Sequence, residues 1–128
     1  MLFLITGTCY AAHNNEIFQA PNGLHAMGYN SFVDEKGHNI DILNYSDTNY
    51  NKWFNNDTNY AVEPYSGNNS FYLGTDDSND CYLIEVIQKD GAKYIIHSWS
   101  PNGAGESAKL FSNLQEFNKV NKVTPMEV

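Results

Sequence analysis

The chain has 128 residues and a mass of 14.5 kDa, the size of one domain around one hydrophobic core. With 41% hydrophobic and 14% aromatic residues it is not a disordered tail. Fifteen acidic residues against seven basic ones give a net charge of -8, and all seven basic residues are Lys, so the electrostatic footprint and guanidinium forks of a nucleic-acid binder are missing.

The N-terminal run Met1 to Ala12 is short, apolar and closed by small residues, and polar His13-Asn14-Asn15-Glu16 follows at once. Residues 1–12 therefore have two readings, a remnant of a secretory signal peptide or a first buried strand, with residues 13–128 forming a single α+β domain. Three N-x-Ser/Thr triplets begin at Asn44, Asn56 and Asn68. As glycosylation candidates they point, with the leader, to an extracytoplasmic protein, secreted or held in the cell envelope. Cys9 and Cys81 are the only cysteines, a possible disulfide in an oxidising compartment where the leader is retained. No stretch approaches the roughly 18 apolar residues that a stable membrane span needs.

In chain order, Ile17 to Leu24 is an extended segment that breaks at Pro21-Asn22-Gly23. Alternation in Tyr29 to Val33 predicts a strand, a turn at Glu35-Lys36-Gly37, and an antiparallel return over Asn39 to Tyr45. Ser46 or Asp47 can cap a short helix in the middle of the chain, with Tyr50, Trp53 and Phe54 sharing one face as packing residues. Two strands, Tyr60 to Tyr65 and Phe71 to Thr75, flank Ser66-Gly67-Asn68-Asn69, and Pro64 places the first of them at a sheet edge.

The most informative stretch is Cys81 to Trp99. Asp90-Gly91 between two β-rich runs predicts a two-residue type I′ hairpin, which sets Lys89 opposite Ala92, Val86 opposite Ile95, Ile84 opposite His97 and Tyr82 opposite Trp99. One face then carries Tyr82, Ile84, Val86, Ile95, His97 and Trp99. The other carries Cys81, Leu83, Glu85, Ile87, Tyr94, Ile96 and Ser98, and since both are largely apolar the hairpin belongs at the centre of the sheet. A final amphipathic helix is predicted over Glu106 to Val120, with Leu110, Phe111, Leu114 and Phe117 on its buried stripe and a stop at Asn121 and Pro125. The expected architecture is α+β, an antiparallel sheet of five or six strands with this helix on one face and the short aromatic helix in the middle.

The order of segments Ile17 to Leu24, the hairpins, Lys93-Tyr94-Ile95-Ile96 and the ending Leu114 to Pro125 resembles small secreted proteins of methanogenic archaea, a family of unknown function. The opening Phe18-x-x-Pro21-x-Gly23, followed by strands and a closing helix, is more distantly similar to the PsbP/Mog1-like α/β/α fold of extracytoplasmic lipoproteins and adaptor proteins. The motifs that carry the first resemblance are structural rather than catalytic, and the second is a likeness of fold alone.

Candidate chemistry is sparse. Cys81 and His97 are a thiol–imidazole combination, but the hairpin register sets them on opposite faces of the sheet. His13, His25 and His38 lie in separate segments without zinc-ligand spacing. Asp76, Ser78 and Asp80 are a weak calcium candidate, since the run lacks the Gly and distal Glu of an EF-hand loop. No cofactor is expected. Trp53, Tyr82, His97 and Trp99 make a candidate aromatic groove for an unidentified protein, peptide or carbohydrate ligand. The favoured function is a non-catalytic binding or structural module; the alternative is a small hydrolase or inhibitor-like protein using His97 with Ser98, Ser100 or Glu85.

Overall fold

A computed structural model of the chain describes residues 17–46, 62–75 and 81–127. Eight strands form one antiparallel sheet: β1 (His25–Ala26), β2 (Ser31–Val33), β3 (Asn39–Asn44), β4 (Val62–Tyr65), β5 (Asn68–Thr75), β6 (Cys81–Lys89), β7 (Ala92–Trp99) and β8 (Pro125–Met126). Their spatial order is β1-β2-β3-β7-β6-β5-β4, and β8 pairs with β6 beyond the end of β5. A 3₁₀ turn, Gly103–Glu106, leads into helix α1 (Ser107–Asn121).

The expectation of five or six strands and two helices is therefore corrected to a mostly β architecture of eight strands, with a single α-helix among the described residues. The two extra strands, β1 and β8, are two residues long. A two-residue strand has no alternation to read, and each forms only because a longer neighbour offers it an edge. The expected aromatic helix around Tyr50, Trp53 and Phe54 lies outside the described residues, as does the leader.

The two-residue turns of the β4–β5 and β6–β7 hairpins follow from chirality. At Asp90-Gly91 the two φ angles are 53° and 85°, and at Ser66-Gly67 they are 52° and 78°, the pair of positive values that a type I′ turn requires. The first turn fixes the register read from the sequence, Tyr82 to Trp99, Ile84 to His97 and Val86 to Ile95. The second is shorter than expected, because Asn68 and Asn69 belong to β5 rather than to the loop, and a register shift between Pro64 and Tyr65 absorbs the difference. Pro64 sits on the outermost strand, where its missing N–H breaks no ladder.

Central strand β6 is buried on both faces from Cys81 to Ile87. On the helix side, Leu83, Ile87, Ile96, Ile40 and Phe71 meet Leu110, Leu114 and Phe117 of α1, and Phe111 packs at the margin against Tyr65 and Phe71. On the opposite side Tyr82, Ile84, Val86 and Ile95 form a second cluster. The helix ends in a left-handed residue, Lys122 at φ 55°, and Asn121 ties that end to the leading segment: its Oδ1 accepts from Gln19 N at 2.6 Å and its Nδ2 donates to Gln19 O at 2.9 Å.

Gly74 faces Tyr82 across β5 and β6, and a Cβ there would overlap the buried phenol. Gly74→Ala is expected to destabilise the fold by about 1–3 kcal/mol through overpacking. Chemical denaturation checks it, and Gly67→Asn, at a turn position with open space, serves as a control expected to cost far less.

Candidate functional site

Three polar stations are built into the sheet. The first surrounds His97 on the side away from α1. β3 and β7 bring Asp41 opposite His97, but Asp41 Oδ2 stands 3.6 Å from His97 Nδ1, too long for a direct hydrogen bond. Its other oxygen accepts from Ser31 Oγ at 2.8 Å. The order is serine, carboxylate, imidazole, whereas nucleophile activation needs the imidazole in the middle. Tyr82 stacks on His97 with centroids 5.1 Å apart and a 36° tilt.

The proposed aromatic groove is only partly realised by this arrangement. Tyr82 is fully buried and belongs to the core, Trp99 is half-buried beside it, and Trp53 lies outside the described residues. The hydrolase partners do not converge on His97 either. Ser98 is buried on the helix side, where its hydroxyl reaches Leu110 O at 3.4 Å, and Ser100 Oγ accepts from Asn102 N. Glu85 and Cys81 also face the helix, as strand parity requires. Cys81 is a free thiol whose pKa is pushed up by burial and by the nearby Glu106 charge, which disfavours the nucleophilic thiolate; Cys9 lies outside the described residues.

The second station went unseen in the sequence. The turn after β2 folds around Asp34, whose Oδ1 accepts from Lys36 N at 2.9 Å and from His38 N at 3.0 Å. That wrap sets His38 Nδ1 2.8 Å from Asp34 Oδ2, while the other ring nitrogen, Nε2, meets Glu106 Oε1 at 2.7 Å. Asn102 Nδ2 donates to the same Glu106 oxygen at 3.3 Å. A neutral imidazole has one N–H and would turn a lone pair toward one of its two carboxylates, so the arrangement calls for imidazolium. Burial opposes that charge, but the hydrogen bonds to Glu106 and Asp34 outweigh it and raise the His38 pKa above its usual 6.5. Burial likewise opposes ionisation of Asp34, yet its bonds to His38 and to the turn N–H groups win and lower its pKa; Glu106 is lowered by His38 and Asn102. With both nitrogens engaged, His38 has no free lone pair for a metal, and it works as a cross-link between the β2–β3 turn and the start of α1.

No family model, curated protein or solved structure matches the chain.

The third station is Glu85, wholly buried on the central strand. Its Oε1 accepts from Asn118 Nδ2 at 2.8 Å. Its Oε2 and the Asn118 Oδ1 are both buried without a partner. Burial pushes the Glu85 pKa from 4.5 up to about 8, with the Asn118 bond opposing only in part.

Among the described residues no group of three or more His, Cys, Asp or Glu could hold a metal ion, and the calcium candidates Asp76, Ser78 and Asp80 lie outside them. No helix of the described residues is long and apolar enough to cross a membrane. Of the glycosylation candidates, Asn44 and Asn68 are exposed at strand ends and Asn56 is outside the described residues.

Proposed function

We propose that the chain is a small non-catalytic binding or structural module of an extracytoplasmic compartment. The observation that carries this reading is how the chemistry-bearing side chains are used. His38, Asp34 and Glu106 cross-link a turn to a helix, Glu85 is committed to Asn118, and Ser98 and Ser100 bond to the backbone around the start of α1. Groups immobilised in internal bonds are poorly placed to attack or protonate a substrate. The exposed apolar side chains Met27 and Tyr29, at the turn between β1 and β2, offer contact surface for a protein, peptide or carbohydrate partner. The exposed Asn44 and Asn68 support the location, because an acceptor must be reachable to be modified.

Two measurements test the reading. The purified full chain is expected to give only background turnover on ester, peptide and glycoside substrates; turnover that disappears in a folded His97→Ala variant would replace the module by a hydrolase. The native protein is expected in an extracytoplasmic fraction, where N-terminal sequencing distinguishes removal of residues 1–12 from their retention as a first strand. Recovery of the intact chain from the cytosol alone would overturn the location.

A further inference from the structure

We infer that Glu85 and Asn118 form a proton-operated latch between the central strand and α1: a neutral carboxylic acid exchanging two hydrogen bonds with a carboxamide, closed while Glu85 keeps its proton and loosened when the proton leaves.

The geometry argues for it directly. One bond is present, Asn118 Nδ2 to Glu85 Oε1 at 2.8 Å, and the two atoms left over, Glu85 Oε2 and Asn118 Oδ1, belong to the same two groups and are both buried without a partner. Two acceptor oxygens satisfy each other only if one carries hydrogen. A carboxyl and a carboxamide are both planar with similar spacing between their heteroatoms, so a proton on Oε2 donates to Oδ1 and closes a ring of two parallel hydrogen bonds. One proton thereby removes two buried orphan acceptors, each of which costs stability when left unmade. Without it, a full negative charge sits in an apolar interior with a single donor.

The surroundings offer no compensating charge among the described residues. On the same face stand Cys81 and, at the far end of the strand, the half-buried Lys89 on β6, Tyr94 on β7, and Tyr65 and the exposed Glu63 on β4, and Glu106 lies beyond Cys81 at the start of α1. Of the charged residues of α1 near Asn118, Glu116 is half-buried, and Lys119 and the cap residue Lys122 are exposed. None of these groups shifts Glu85, whose titration is governed by burial and Asn118 alone. The latch sits where it matters mechanically, since Asn118 follows Phe117 on the buried stripe and precedes the Asn121 clamp on Gln19.

The sign follows from linkage. A carboxyl raised in the folded state holds its proton after the unfolded chain has lost it, so its contribution is full below the unfolded value of 4.5 and is lost as pH rises through about 8. Glu85→Gln tests it in the full chain, because a glutamine amide makes the same two-bond ring with Asn118 and has no proton to lose. The ratio of the variant's folding constant to that of the wild type is expected to rise about tenfold per pH unit across that window and to level off beyond it. His38, Asp34 and Glu106 are present in both proteins and cancel. A ratio independent of pH overturns the latch. Should the variant fail to fold, ¹³C NMR of the glutamate carboxyls in the wild type decides: one carboxyl titrating near 8 is expected, and all of them titrating in the ordinary range would overturn it. Amide exchange along the second half of α1, corrected for its intrinsic pH dependence, is expected to speed up above pH 8 in the wild type and not in Glu85→Gln; unchanged protection would refute the loosening.

Discussion

Phe117→Ala is expected to cost about 3–5 kcal/mol, the range for deleting a buried aromatic ring whose site cannot collapse. Phe117 is fully buried at the middle of the contact between α1 and the sheet. Its ring lies 5.4 Å from Phe18 and 6.3 Å from Phe32, and Phe18 is itself held edge-on against Tyr94 at 5.1 Å. Removing it opens a cavity walled by three elements: the leading segment, β2 and the helix. The pairing of β1 with β2 and the Asn121 clamp on Gln19 restrict how far those walls can close. The loss is a large share of a typical domain's net stability, so a lowered urea midpoint with unchanged slope is the expected readout. Lys119→Ala, exposed on the same helix, should stay within about 0.5 kcal/mol. Similar losses for the two variants would mean that α1 is not held by this stripe.

How much of this was legible in the sequence depends on range. The β6–β7 register was readable because Asp90-Gly91 is a local signal, and the observed pairs from Lys89–Ala92 to Tyr82–Trp99 follow it. The helix stripe was readable because Leu110, Leu114 and Phe117 repeat with the helical period, and all three are fully buried. The Ser66-Gly67 turn was harder. Serine rarely takes positive φ, and the following Asn68-Asn69 has the composition of a loop while running as strand. Strand count failed for a related reason: β1 and β8 exist through their partners rather than through any pattern of their own.

The polar stations divide the same way. Half of the His38 station is local, because Asp34 lies four residues before the histidine in a turn containing Gly37. The other half is Glu106, 68 residues away, and only the folded sheet joins them. Glu85 and His97 both occupy the β6–β7 hairpin and so look like partners in the sequence. Parity separates them, and the true partner, Asn118, is 33 residues distant on the helix. An asparagine on a buried stripe carries no signal that says which carboxylate it will meet.

His38→Ala is expected to destabilise the fold by about 2–3 kcal/mol near pH 6, with a pH dependence that identifies the cause. The variant loses two hydrogen bonds between charged groups, at 2.8 Å to Asp34 and 2.7 Å to Glu106, a kind of bond stronger than one between neutral groups. The total falls short of their sum because the partners are not fully buried, with 13% and 28% side-chain exposure, and water can reach the carboxylates once the ring is gone. His38 is raised above 6.5 in the folded state, so its contribution is full below that value and is lost as pH rises through the folded pKa. Asp34 and Glu106 are lowered from 3.8 and 4.5, so theirs is present above those values and is lost as pH falls through the folded ones. The stability difference between wild type and His38→Ala should therefore be greatest between about pH 4.5 and 6.5 and shrink on both sides, a profile that cavity formation alone would not produce. Glu106→Gln keeps the Asp34 contact and should lower the His38 pKa, moving the alkaline limb to lower pH with a smaller loss than His38→Ala. Denaturation midpoints measured from about pH 2 to 9 for the three proteins would show it, and a difference that stays constant across that range would reduce His38 to a packing residue.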